Sequence, residues 1–265
     1  MKLKKYQTII IKIGSSLIVD KNRSMRIKWL KSLARDIKRL QKNGHKVLLV
    51  SSGAIASSCK KLKTDPNILS ISEKQAYAAY GQAILTEKLG RIFAKAKLNI
   101  SQILVTSDDC YIDKRKGNIK NCLDNLYKMN VIPVINENDV VATEEIKFGD
   151  NDGLAAEIAI LVEADLLVLM SDVDGLYDYD PKLNKNAKII AFPCSEDSML
   201  FSSVKKTKSY YGTGGMYSKL QSAKKANEKN IDVIITKGSG RRPLYSLEKK
   251  KVFSLFKAKS SIESS

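Results

Sequence analysis

Lys12 stands inside the apolar run Thr8–Ile13, directly ahead of Gly14-Ser15-Ser16. A buried ammonium is costly unless it reaches a cleft or a partner. Lys12 therefore reads either as a charge aimed at an anion or as a lysine on a sheet edge. The octapeptide Gly212-Thr213-Gly214-Gly215-Met216-Tyr217-Ser218-Lys219 poses a similar choice. Its glycines permit close backbone approach, Thr213 and Ser218 supply hydroxyls, and Lys219 falls one turn into a helical pattern. That combination makes an anion nest or a glycine turn before a helix. It fits neither the P-loop order nor the dinucleotide fingerprint.

Four other loops carry polar groups. Ser51-Ser52-Gly53 follows the apolar run Lys46–Val50 and opens a helix, and Ser52 taken alone reads as its N-cap. Asn136-Glu137-Asn138-Asp139 follows Val131–Ile135. Such a cluster can be a turn, or it can offer amides and carboxylates to an amino acid's two charged ends. Gly149-Asp150-Asn151-Asp152-Gly153 precedes an apolar helix and reads as a capping segment. Its glycine is misplaced for a calcium loop. Ser171-Asp172 ends the run Leu166–Met170, with a turn at Asp174-Gly175.

His45, the single histidine, sits at a helix-to-strand turn and reads as structural. Cys59, Cys110, Cys122 and Cys194 lack metal-ligand spacing and read as reduced thiols of a cytoplasmic protein. Histidine base chemistry and zinc chemistry are thereby disfavoured. Backbone N–H groups, lysines and carboxylates remain, and these are the tools of phosphoryl transfer.

The elements that must position these loops alternate. Strand-like runs at Thr8–Ile13, Lys46–Val50, Gln102–Val105, Val131–Ile135, Leu166–Met170 and Asp232–Ile235 are separated by helical patterns. The helices are expected over Arg26–Lys42, Glu73–Lys97, Lys116–Met129, Asn151–Glu163 and Met216–Lys229, the first closed by Asn43-Gly44. Alternation of this kind predicts a mainly parallel sheet with helices on both faces. Ligands then bind beyond the carboxyl ends of the strands, where the polar loops fall. The longest apolar run, Leu154–Met170, is broken by Glu157, Glu163 and Asp165, so no membrane span is expected, and no signal peptide is read at the start.

Net charge is +18 over 265 residues, which raises a nucleic-acid reading. The distribution argues against it. From Asn136 to Asp180 there are 13 acidic residues and one basic residue, and the lysine runs elsewhere lack interleaved aromatics. Attraction of small anionic substrates fits the same charge.

In this order, the stretches IKIGSS, SSGAIA, VIPVINENDVVATEEIKFGDNDGLAA, SDVDGLYDYDP and GTGGMYSKLQSA resemble the motif series of the glutamate 5-kinases, a branch of the amino acid kinase family. The resemblance runs from about Thr8 to about Phe256. It implies a three-layer α/β/α sandwich around a mainly parallel sheet, and transfer of the γ-phosphoryl group of ATP to the side-chain carboxylate of L-glutamate in proline biosynthesis. It further implies that Lys12 and Lys219 flank the transferring phosphoryl group and that Asp152 orients both. Gly14 and Gly53 would lend N–H groups. Ser52, Asn136, Asp139 and Asn151 would bind glutamate. Ser171, Asp172 and the segment Thr213, Gly214, Gly215, Met216, Tyr217, Ser218, Lys219 would bind ATP, with Mg²⁺ carried by the nucleotide rather than by protein ligands.

A single kinase domain is expected over 1–258, with its N-terminal part for glutamate and its C-terminal part for ATP. A disordered tail is expected over 259–265, without the added PUA-type domain of longer relatives. The resemblance also implies a homo-oligomer and L-proline as a feedback inhibitor. Two other readings stand beside it: a family member with a different acceptor, and a basic nucleic-acid-binding protein.

Overall fold

The computed structural model describes residues 2–142, 151–179, 181, 184–193, 215–249 and 252–258. Among the described residues, seven strands form one sheet: β1 Thr8–Ile13, β2 Lys46–Val50, β3 Asn99–Val105, β4 Val131–Glu137, β5 Leu166–Ser171, β6 Asp232–Lys237 and β7 Ser254–Phe256. Their order is β3-β4-β2-β1-β5-β6-β7. All pairs are parallel except β6 with β7. The expected three-layer sandwich is the architecture found.

The helices are α1 Ser15–Ile18, α2 Ile27–Lys42, α3 Ala54–Leu62, α4 Ile71–Ala94, α5 Asp113–Lys128, α6 Asp152–Leu161, α7 Met216–Asn227 and α8 Pro243–Lys249. Strand alternation decides which face each helix covers. Ile9, Ile11 and Ile13 of β1 join a core with α2, α4 and α8. Ile10 joins a second core with α6 and α7 on the other face. Helix α6 is apolar nearly all round and buried along most of its length, as a helix wedged between a sheet and a neighbour must be.

Most boundaries lie within a few residues of the sequence expectation. Helix α4 starts earlier, at Ile71, because Ser70 and Glu73 form a capping box. Gly44 ends the turn after α2 with φ of +83°, as the Asn-Gly pair predicts. The lysine- and serine-rich segment after Arg242 contains α8 and the antiparallel edge strand β7, which periodicity did not single out because each is short. The expected tail lies outside the described residues.

Candidate active site

The strand register assembles the site. Lys12 on β1 lies beside Val50 of β2 and Leu169 of β5, and Val50 lies beside Ile135 of β4. The residues that follow in each strand, Ser51-Ser52, Asn136-Glu137 and Ser171, therefore end at one edge of the sheet. Period-two alternation puts Lys12 on the same face as Ile10, the α6–α7 face. Lys12 is thus on a central strand, which removes the sheet-edge reading.

Three charges meet there. Lys12 Nζ lies 2.7 Å from Asp152 Oδ1, and Lys219 Nζ lies 2.8 Å from Asp152 Oδ2. The exposures of Lys12, Asp152 and Lys219 are 3%, 0% and 5%. Burial pushes the Asp152 carboxyl up, but the charges and hydrogen bonds of the two ammonium groups outweigh it and hold the carboxyl below its usual range. Asp152 is the first residue of α6, where the helix dipole also favours a negative charge. Lys219 is brought to it because α7 packs on α6. A second contact locks that packing: Lys225 of α7, Glu157 of α6 and the Tyr111 hydroxyl are mutually bonded. Lys225 also lies 5.0 Å from the Tyr111 ring centre.

Beside the charges runs a buried chain of amides. Asn151 Nδ2 donates to Asn136 Oδ1 at 2.6 Å and to the Ser51 carbonyl. Asn136 Nδ2 donates to Gln82 Oε1 at 2.7 Å. Gln82 Nε2 continues to Thr86 Oγ1, which donates to Gln102 Oε1. Asn151 precedes α6 but its side chain makes no capping bond, so the capping reading of this segment yields to the amide chain. Likewise Gly53, with φ of +101°, is the N-cap of α3, and Ser52 does not cap it. A left-handed residue at that position requires glycine. The hydroxyls of Ser51 and Ser52 are buried with no hydrogen-bond partner among the described residues. Such orphaned groups are expensive unless a ligand satisfies them.

Glu137 and Asp139 complete this side. Burial, with the Asp139 charge adding to it, pushes the Glu137 carboxyl up to about 7, and burial raises Asp139 to about 6. Two raised carboxyls beside Gln82 suit a cationic group on a ligand.

The remaining expected residues lie at the ends of β1 and β5 and at the start of α7. Gly14 is the N-cap of α1 and Gly215 the N-cap of α7. Ser171 is buried and accepts from the Val173 N–H, while Asp172 is exposed. Met216, Tyr217 and Ser218 form the first turn of α7 with Lys219, and the Tyr217 hydroxyl accepts from Gln221. Thr213 and Gly214 lie outside the described residues, as does Cys194. His45 is structural, its Nδ1 lying 2.7 Å from the Tyr6 carbonyl oxygen. Gln82 and Glu157 were missed by sequence reasoning. The signal for Gln82 was the Gly81-Gln82 pair inside an otherwise alanine-rich helix, where a Cβ on Gly81 would meet the Ala54 carbonyl oxygen at 1.9 Å.

A sequence profile described as "Amino acid kinase family" matches residues 7–237. The chain belongs to the amino acid kinase family. This amino acid kinase is 45% identical over 244 residues to the glutamate 5-kinase of Pelagibacter ubique (strain HTCC1062), covering 92% of this chain and 66% of that protein. It is 40% identical over 257 residues to the glutamate 5-kinase of Brucella abortus (strain S19), covering 97% of this chain and 68% of that protein. The chain thus spans about two thirds of the length of these relatives. Among solved structures, the UMP kinase from Ureaplasma parvum shares the fold with a TM-score of 0.64 at 20% identity, covering 95% of this chain and 98% of that one. An isopentenyl phosphate kinase in a substrate complex matches with a TM-score of 0.61 at 18% identity, covering 94% of this chain and 100% of that one.

Proposed function

We propose that this chain is a glutamate 5-kinase that transfers the γ-phosphoryl group of MgATP to the side-chain carboxylate of L-glutamate. The observation that carries the reading is the buried Lys12–Asp152–Lys219 bridge, set beside an amide-lined site in a chain whose relatives bear that name. A carboxylate is already an anion at neutral pH, so the acceptor needs no general base. The barrier is repulsion between two anions, and fixed cationic donors lower it. Lys12 stands at the end of β1, between the glutamate side and the nucleotide side, and is the group that neutralises the phosphoryl in flight. Lys219 enters from α7 and takes the ATP side. Asp152 fixes both ammonium groups before substrate arrives, which removes reorganisation from the chemical step.

Ser52, Asn136, Asp139 and Asn151 hold glutamate. Gly14 and Gly53 offer backbone N–H groups to the phosphoryl oxygens. Ser171, Asp172 and the Thr213–Lys219 segment hold ATP. Mg²⁺ enters as part of the MgATP substrate, since both oxygens of the Asp152 carboxylate face lysines rather than a metal. The N-terminal part of the domain serves glutamate and the C-terminal part serves ATP. L-proline as an inhibitor and a homo-oligomeric state belong to the same reading.

The test is ADP release from MgATP with L-glutamate, N-acetyl-L-glutamate, L-aspartate, carbamate and UMP, with hydroxylamine present to trap an acyl phosphate. Glutamate alone is expected to support turnover and yield the hydroxamate. Asp152→Ala is expected to lose that turnover while keeping a native circular dichroism spectrum. Preferred turnover of another acceptor would refute the glutamate assignment, and near-normal turnover of the variant would refute the role given to Asp152.

A further inference from the structure

On the opposite face of the sheet from α6 and α7, a cavity of about 470 Å³ lies between α2 and the β6–α8 loop. That size falls in the range of small-ligand sites. Four cations line it: Lys28, Lys31 and Arg35 from α2, and Arg241 from the loop. The α2 residues are spaced three and four apart, which puts them on one helix face. Among the described residues, no carboxylate lines the cavity.

The chain has eight arginines. Among the described residues, Arg35 and Arg241 are the two whose guanidinium groups have no hydrogen bond or ion pair, and both line this cavity. The nearby acids are committed elsewhere. Asp36 binds Arg242 Nε at 2.5 Å and accepts from the N–H groups of Leu244 and Tyr245. Glu248 binds Arg39 and the Leu3 N–H.

The walls are built rather than loose. Trp29 Nε1 donates to the Gly238 carbonyl at 2.6 Å, and Ser32 Oγ accepts from the Arg242 N–H at 2.9 Å. Arg242 is held with φ of +54°, a left-handed conformation that is unfavourable for a residue with a Cβ. That kinked residue sets the position of Arg241 before it. Four like charges gathered without a counter-charge among the described lining residues repel one another, and an anion between them would relieve that repulsion.

We propose that this cavity is a second anion site that takes a small polyanion carrying two or more phosphate groups. Guanidinium forks match phosphate oxygens in pairs, and two of them flanked by two lysines suit more than one phosphate. Trp29 is 6% exposed, so its ring offers no stacking platform and the site reads charge rather than a base. The site does not depend on the glutamate kinase reading, because it shares no residue with the active site.

Calorimetric titration with inorganic tripolyphosphate tests it. R35A/R241A is expected to weaken one binding equivalent by about tenfold or more. The pair K60A/K61A, on exposed α3 positions, removes the same charge and is expected to change affinity less than about twofold. Lys219→Ala is expected to leave the cavity equivalent intact, separating it from the active site. R35K/R241K, which keeps charge but loses the fork, is expected to fall between wild type and R35A/R241A and guards against a folding artefact. Equal losses in R35A/R241A and K60A/K61A would overturn the proposal by showing general attraction only. Loss of all binding in Lys219→Ala would overturn it in favour of the active site. Tighter, Arg35- and Arg241-dependent binding of a single-stranded RNA oligomer would replace it with a nucleic-acid surface.

Discussion

At the residue scale, the amide chain defines the pocket proposed to take glutamate. Asn136 can orient its carbonyl toward Asn151 because Gln82 accepts from its amide nitrogen. Gln82→Leu removes that acceptor and leaves a buried N–H orphaned, at a cost of about 1–3 kcal/mol. The expected result is a higher KM for glutamate with KM for ATP unchanged, read from steady-state kinetics; equal changes in both would deny the specific role. Glu137 and Asp139 add a pH dependence. Their folded values of about 7 and about 6 exceed the ordinary carboxyl values, so the folded state holds protons that the unfolded chain has released. Stability therefore falls as pH rises from about 4 toward about 7. A bound ammonium group favours the ionised carboxyls, so glutamate affinity should rise across pH 6–7. Calorimetry at pH 5.5 and 7.5 would check this, and E137Q should flatten both trends.

At the element scale, two glycines of α4 make an internal comparison. A Cβ on Gly81 would collide with the Ala54 carbonyl of α3, whereas Gly90 has open space. Overpacking typically costs about 1–3 kcal/mol, and an unhindered helical glycine-to-alanine change gains about 0.5–1 kcal/mol. Thermal melts should show Gly81→Ala destabilised and Gly90→Ala stabilised. Gly81→Ala should also raise KM for glutamate, because α3 begins at Gly53 and α4 carries Gln82. A Gly81→Ala variant as stable as wild type would mean that α3 and α4 need not approach so closely. The longer helices α2, α4, α5, α6 and α7 were legible in the sequence pattern while the short α8 was not, and the capping box fixed the start of α4. The four-residue α1 and three-residue β7 were not, because so few residues establish no period.

At the scale of the whole molecule, the +18 charge sets a field that gathers anions. Both proposed substrates are anionic, so their encounter with the site should be screened by salt. Raising NaCl from about 20 to about 300 mM should raise KM for MgATP and glutamate with kcat nearly constant. A fall in kcat at constant KM would place the salt effect on the chemical step instead. Among the described residues no helix is long and apolar enough to cross a membrane.

The sequence by itself determined the layer architecture and which loops hold polar groups, because strand and helix periods and glycine positions are local properties of the chain. It also supplied the motif order that named the family. Only the tertiary structure decided what those groups do to one another. Lys12, Asp152 and Lys219 are separated by 140 and 67 residues, and parallel register with α6–α7 packing is what joins them. The role of Asn151 changed for the same reason, its amide reaching Asn136 and the Ser51 carbonyl instead of a local cap. A local cap competes with a distant partner, and the distant partner's position is set by the sheet.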